Sequence, residues 1–147
     1  MAGEDRYRLA AVRDVRARDE QARKGDLAVA VGDARQTQGR LDAARARTAA
    51  ARAALLTAQK TRDALVSAGA AGSELVRAEE YIARRRRELQ AVTAEEVRCE
   101  AMHAGRLDEV DAARRTLTRA RAERQVIERH FERWREDRKK LAERRED

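Results

Sequence analysis

The chain has 147 residues, of which 41% are charged and only 3% aromatic, with a formal net charge of +7. It contains no proline, and much of its apolar 42% is alanine. This composition excludes a conventional large core and is typical of long helices and coiled coils. Disordered chains can be equally charged, but Leu, Val and Ile recur here at regular intervals, which favours helices.

The basic balance permits a nucleic acid, an anionic membrane or an acidic protein as partner. Acidic and basic residues alternate along nearly the whole chain, whereas a nucleic-acid-binding arm would concentrate its arginines and lysines. No apolar run approaches the roughly 20 residues that span a bilayer, and no hydrophobic signal core follows Met1. We therefore expect a cytoplasmic protein that neither binds nucleic acid nor inserts into a membrane.

The first predicted helix covers about residues 5–67. With Leu27 as heptad position a, a repeat of 3.5 residues collects mostly Leu, Ala and Thr in one seam, as in a coiled coil. The a and d positions are Leu27, Ala30, Ala34, Thr37, Leu41, Ala44, Thr48, Ala51, Leu55, Ala58, Arg62 and Leu65.

A turn is predicted at residues 68–73, where two glycines lie close together. Glycine is unfavourable inside helices, and Gly69 can end the first helix in the left-handed conformation. Ser73 is the expected N-cap of the second helix. Because this connection is short, the helices are expected to be antiparallel neighbours. The sequence thus predicts an all-α fold, a single antiparallel coiled-coil hairpin over residues 1–147.

The second predicted helix covers about residues 74–144, with Leu75 as position a. If Leu65 lies opposite Leu75, the numbers of facing residues add up to about 140. The a and d positions are Leu75, Ala78, Ile82, Arg85, Leu89, Val92, Glu96, Cys99, His103, Arg106, Val110, Ala113, Leu117, Ala120, Arg124, Ile127, Phe131, Trp134, Arg138 and Leu141.

Irregular features coincide midway along the pair. Gly25, Gly32 and Gly39 lie seven apart on the outward face of the first helix, opposite a polar stretch of seam and Gly105. Val97, Met102 and Leu107 fall outside the strict register, as a phase slip of the repeat would produce. We hypothesise a soft zone that bends or twists; random drift in a tolerant coiled coil is the alternative.

The sequence offers little for catalysis or ligand binding. It has no phosphate-binding glycine loop and no nucleophile arrangement, so we expect neither an enzyme nor a bound cofactor. Cys99 and His103 share a helical face and could hold a metal, but the facing seam offers only Ala and Leu. We therefore expect no metal site, with Cys99 as a small seam residue and His103 and His130 reaching solvent.

One run of basic residues stands out on the second helix. Consecutive helical residues point around most of the circumference, so the run forms a positive collar. A solvated collar, a contact for an acidic partner surface and a contact for nucleic acid are all compatible with it, the first being favoured. The collar consists of Arg84, Arg85, Arg86 and Arg87.

Three of the four aromatic residues are expected to meet at the open end of the hairpin, since the register brings Tyr7 near Phe131 and Trp134. Aromatic residues and arginines are favoured interface anchors. The cluster can serve as a binding surface, or as a clamp that prevents the helix ends from fraying.

The layout and both ends of the chain resemble the FliJ and YscO/SctO family, the stalk proteins of flagellar and virulence type III secretion systems. The resemblance is carried by residues 6–16 (RYRLAAVRDVR) and more closely by residues 121–145 (RAERQVIERHFERWREDRKKLAERR). It implies a fold like the coiled coil of a rotary ATPase gamma subunit. The glycines of the first helix and its richness in alanine depart from the family as we know it.

The resemblance also implies a function in protein transport. The paired termini would enter the pore of a hexameric export ATPase, the turn would point towards the export-gate membrane protein, and export chaperones would be further partners. The protein would associate peripherally with the export apparatus at the inner membrane. The implied ATPase-facing residues are Tyr7, Arg8, Ile127, Phe131, Trp134, Arg135 and Arg138. The alternative is a self-associating coiled-coil scaffold or chaperone without an ATPase partner.

Overall fold

The computed structural model describes residues 6–146. It contains two helices, α1 (Ala10–Ser67) and α2 (Gly72–Glu146), which pack against each other as a helical hairpin. The predicted all-α hairpin is confirmed. The end of α1 at Ser67 is as predicted, both ends of α2 differ from the prediction by two residues, and α1 begins five residues later than predicted.

The first helix begins later than predicted. Asp5 lies outside the described residues, and the residues just before Ala10 form a turn in which the Ala10 amide donates to the Tyr7 carbonyl at 3.2 Å. The Tyr7 ring instead packs against aromatic side chains of α2. The helix thus begins three residues after Tyr7, whose ring is buried.

The reversal between the helices is a Schellman motif. Gly69 has a φ of +70°, its amide donates to the Val66 carbonyl at 3.1 Å, and the Ala70 amide donates to Leu65 at 3.0 Å. The predicted left-handed glycine is therefore confirmed.

The start of α2 corrects the predicted cap. Ser73 lies within the first turn of α2, which begins at Gly72. The Ala71 carbonyl accepts hydrogen bonds from the amides of Glu74 and Leu75, at 3.0 and 3.2 Å. Ala71 is therefore the N-cap residue, two residues before the predicted Ser73. Its carbonyl accepts the first backbone hydrogen bonds of α2.

The contacts of the hairpin divide into two compact units. The turn unit comprises Asp33–Leu107 and contains the reversal; the terminal unit comprises the described residues 6–32 and 108–146.

The turn unit is built on the predicted heptad seam. Ile82 is fully buried, at 0% exposure, opposite small α1 side chains. The facing register is also as predicted: the Thr48 hydroxyl lies 3.4 Å from the Val92 carbonyl, and Thr37 faces His103. Both pairs add up to 140 in residue number. The buried residues of this unit are Ala34, Thr37, Leu41, Ala44, Thr48, Ala51, Ala58 and Ile82.

The predicted phase slip in α2 does not occur. Val97, Met102 and Leu107 are 46–59% exposed, and the half-buried seam positions continue the original repeat. His103, expected to reach solvent, is half-buried, with Nδ1 2.8 Å from the Thr37 hydroxyl. A polar partner in the facing seam makes this placement favourable, since a buried imidazole needs a hydrogen bond.

The seam of the terminal unit is asymmetric. From α2 it receives Val110, Leu117, Ala120 and Ile127, all buried. On α1, four heptad positions before Leu27 carry charged side chains, at Arg13, Arg16, Glu20 and Arg23, and Glu20 is buried to 7% side-chain exposure. Arg124 Nε lies 2.5 Å from its Oε2. Lys24 Nζ and Arg121 Nε lie 3.3 and 3.7 Å from its Oε1.

Within residues 6–146, neither helix has a stretch long and apolar enough to cross a membrane.

Candidate functional site

The candidate site lies in the terminal unit, where Tyr7 meets one face of α2. We call Tyr7, His130, Phe131 and Trp134 the aromatic cluster. The Tyr7 ring centroid is 5.1 Å from Phe131, edge to face, and 5.2 Å from Trp134. Phe131 and Trp134, three residues apart on α2, stack at 5.8 Å. Such arrangements suit the quadrupoles of aromatic rings and add to the stabilisation from burial.

Tyr7 and His130 join the cluster through their polar atoms. The Tyr7 hydroxyl lies 2.8 Å from His130 Nδ1, and the two ring centroids are 5.7 Å apart. His130 was expected to reach solvent; its residue is exposed, yet its ring nitrogen is engaged. The hydrogen bond satisfies the phenol of a tyrosine that is only 7% exposed.

Two arginines flank the Phe131 ring. The Arg13 guanidinium carbon lies 4.0 Å from the ring centroid and that of Arg135 lies 5.8 Å from it, both within cation–π range. Arg13 Nε also donates to Glu128 Oε1 at 2.8 Å. This hydrogen bond raises the pKa of Arg13 and lowers the pKa of Glu128, while desolvation opposes both shifts. Arg13 is thereby fixed across the two helices.

The predicted ATPase-facing residues differ in how far they are buried. Ile127 is 8% exposed and belongs to the core, as Tyr7 does. Phe131, Trp134 and Arg138 are half-buried, and Arg8 and Arg135 are exposed. The accessible part of the predicted surface is therefore the Phe131–Trp134 stack with its exposed arginines. It can offer ring faces and guanidinium groups to a partner.

Sequence reasoning missed Arg13 and Glu20 as seam residues. Extending the heptads back from Leu27 by seven and fourteen residues reaches both positions. The heptad spacing was therefore sufficient to identify both positions. They were overlooked because seam positions are usually recognised by apolar residues, and these two are charged.

The four collar arginines lie in the turn unit and do not act alike. Arg84 and Arg85 lie over the Tyr81 ring, at 5.6 and 5.0 Å from its centroid, and Arg85 pairs with Glu88 at 2.8 Å. Arg86 and Arg87 are exposed. Two arginines of the collar thus form cation–π contacts with Tyr81. The run of four consecutive arginines did not predict these contacts.

The described residues contain no group of three or more His, Cys, Asp or Glu side chains placed to hold a metal ion. Cys99 is half-buried, and its Sγ lies 3.7 Å from Glu95 Oε1.

No protein-family model matches the sequence, and neither a curated protein nor a solved structure shows significant similarity to the chain.

Proposed function

We propose that this protein is the central stalk of a type III secretion system. The two helices of the terminal unit insert into the pore of the hexameric export ATPase and stimulate its turnover. The stalk couples the ATPase to the export-gate membrane protein and promotes protein export. This function is non-enzymatic and cytoplasmic, at the inner-membrane export apparatus, with export chaperones as further partners.

One observation carries the proposal. The half-buried Phe131–Trp134 stack, flanked by Arg13 and Arg135, lies within the segment that resembles the stalk family most closely. Tyr7 is only 7% exposed and acts as a clamp, whereas Phe131 and Trp134 are half-buried. The accessible ring area of its two neighbours supplies the aromatic and arginine contacts that anchor protein interfaces.

The charged surface is also consistent with insertion into a pore. Ion pairs such as Arg16–Glu123 join α1 and α2 at the surface of the terminal unit. Exposed charge pairs contribute little net attraction and keep their hydration. A stalk with a polar surface can therefore rotate against the wall of a pore. A stalk with an apolar surface would adhere to that wall.

The test is the double substitution Phe131→Ala with Trp134→Ala. Stimulation of ATP hydrolysis by the type III export ATPase from the same genome should fall at least about tenfold, as for loss of an interface hot spot. Circular dichroism should still show a predominantly helical protein.

Tyr81→Ala is the matched control, since it removes an exposed aromatic ring from the turn unit. It should leave stimulation unchanged. Full stimulation by the Phe131/Trp134 double variant would refute the proposed interface. A wild-type chain that leaves the ATPase unaffected, forms a defined oligomer and prevents aggregation of unfolded proteins would instead support the scaffold or chaperone function.

A further inference from the structure

The helix α1 has a second uncharged face, on the side turned away from its seam with α2. We call this the outward face; it takes residues 25–50 at alternating steps of four and three, and all of them are exposed. Two members are Val29, 66% exposed, and Gln36. Exposed helical faces normally carry charged side chains. The other members are Gly25, Gly32, Gly39, Ala43, Ala46 and Ala50.

The outward face is open to close approach by another helix. A Cβ at Gly25, Gly32 or Gly39 would meet nothing within 4 Å. The distance between packed helices depends on the side chains at the contact, and small ones allow the shortest distances. Because α1 is a single helix from Ala10 to Ser67, residues 25–50 rise by roughly 37 Å, or about seven turns. This length suits packing along a second long helix.

Charged residues flank the outward face on both sides, and their order reverses halfway along it. On one flank, residues seven apart are two acids followed by two bases. On the other flank, a base precedes an acid. The first flank carries Asp26, Asp33, Arg40 and Arg47, and the second carries Arg35 and Asp42.

This order is complementary to itself in the antiparallel direction only. If two copies of α1 lie antiparallel about an axis between residues 37 and 38, Asp33 of one copy faces Arg40 of the other. On the opposite flank, Arg35 then faces Asp42. Parallel copies would place each charge opposite an identical one, and a uniformly acidic or basic partner would be repelled by half of the flanking charges. The chain itself supplies the reversed order.

The flanking charges are available for such pairing. Arg35 and Arg40 are exposed, and neither forms an ion pair within residues 6–146. Asp26 and Asp33 lie 3.1 and 3.9 Å from guanidinium nitrogens of their own chain, with side chains 61% and 43% exposed. Exposed ion pairs of this kind contribute little, so both carboxylates can pair across an interface.

From this pattern we infer that two copies of the chain form an antiparallel dimer through the outward face of α1. The contact is isologous, so each flanking ion pair occurs twice about the two-fold axis. The outward face shares no residue with the aromatic cluster. The inference therefore does not depend on the function proposed for the terminal unit, and failure of either leaves the other standing.

Charge exchange tests the pairing. Arg35→Asp alone and Asp42→Arg alone each place like charges opposite one another in the dimer. Each should raise the dimer Kd, measured by sedimentation equilibrium at low ionic strength, at least about tenfold. The double variant restores opposite charges and should return to within about threefold of the wild-type Kd.

Arg87→Asp is the matched control, since it reverses the charge of an exposed arginine on α2. It should leave the dimer Kd unchanged, and circular dichroism should show all variants to be helical. A monomeric wild-type chain, or a double variant as weak as the single ones, would overturn the inference. So would equal weakening by Arg87→Asp, which would indicate unspecific charge effects.

The direction of pairing is tested by a spin label on Lys60→Cys in a Cys99→Ser background. Lys60 is exposed and lies beyond the paired stretch. In the antiparallel dimer each label is about 22 helical residues from the axis, so double electron–electron resonance should give a distance of roughly 65–70 Å. A much shorter distance would show parallel pairing or a different interface and would contradict the inference.

Discussion

Glu20 is a carboxylate in a seam position that coiled coils normally fill with apolar side chains. Its side chain is 7% exposed and lies near three cations, at Lys24, Arg121 and Arg124. Burying a charge has a large desolvation cost that pairing only partly offsets. The pairing side chains of Arg121 and Arg124 are 53% and 44% exposed, so they stay hydrated whether or not Glu20 is present.

We predict that Glu20→Leu stabilises the protein by about 1 kcal/mol or more, because it removes a desolvated charge and restores an apolar seam without leaving a buried cation. Urea unfolding followed by circular dichroism measures the change. Gln21→Leu, at an exposed neighbouring position, should change the free energy of unfolding by less than about 0.5 kcal/mol. A less stable Glu20→Leu variant would show that the ion cluster is a net source of stability.

Tyr7 has a structural role that limits its availability to a partner. Its ring contacts Phe131 and Trp134, and its hydroxyl is bonded to His130. The sequence left two roles open for the aromatic cluster, a clamp and a binding surface. In the structure, different residues of the cluster suit each role. Tyr7 is the clamp, and we assign the proposed contact to its neighbours.

At the level of the helices, glycines have opposite consequences in α1 and in the turn. Gly25, Gly32 and Gly39 are exposed within a continuous helix, and a Cβ at each would meet nothing within 4 Å. Gly69 likewise has open space, but its φ of +70° is costly for other residues. Space alone does not decide the effect of a substitution; backbone conformation does.

We predict that Gly39→Ala stabilises the protein by about 0.5–1 kcal/mol and that Gly69→Ala destabilises it by about 1 kcal/mol. Combining alanine at Gly25, Gly32 and Gly39 should raise stability roughly additively, since these sites share no contacts. Thermal unfolding by circular dichroism measures the stability of all three variants. Loss of stability in the triple variant would indicate that helical glycine is required at these positions.

At the level of the whole molecule, the antiparallel register follows from a single short turn. In the turn unit, Thr48 faces Val92; in the terminal unit, Arg13 faces Glu128. Both agree with a register in which facing residue numbers add up to about 140. A turn closed by Gly69 leaves no slack for sliding, because a shift along the seam would break the Schellman hydrogen bonds.

We predict that Thr48→Cys with Val92→Cys, in a Cys99→Ser background, forms a disulfide within one chain under mild oxidation. Closing a loop of this length should stabilise the protein by about 3–4 kcal/mol. Non-reducing gel electrophoresis should show a monomer of altered mobility. Thr48→Cys with the exposed Val97→Cys is the control and should remain reduced. Disulfide-linked dimers would indicate that helices of different chains pair instead.

The candidate site was only partly predictable. The register alone brought Tyr7 near Phe131 and Trp134, because a heptad repeat and one short turn determine which positions face each other. The guanidinium of Arg13 over Phe131 and the hydrogen bond of His130 depend on side-chain conformations, which periodicity does not specify. A groove lined by Ala54, Ala58 and Ala78 lies beside Tyr81, and it depends on how little volume these alanines fill between two helices.

The sequence by itself determined the helices, the reversal at Gly69 and the seam, because each follows from local backbone preference or from the spacing of apolar residues along one chain. Only the tertiary structure decided that Glu20 is buried among cations, that Tyr7 is a clamp, and that a groove floored by Ala54, Ala58 and Ala78 lies beside Tyr81. The physical reason is that burial, ion pairing and empty volume are properties of two facing surfaces.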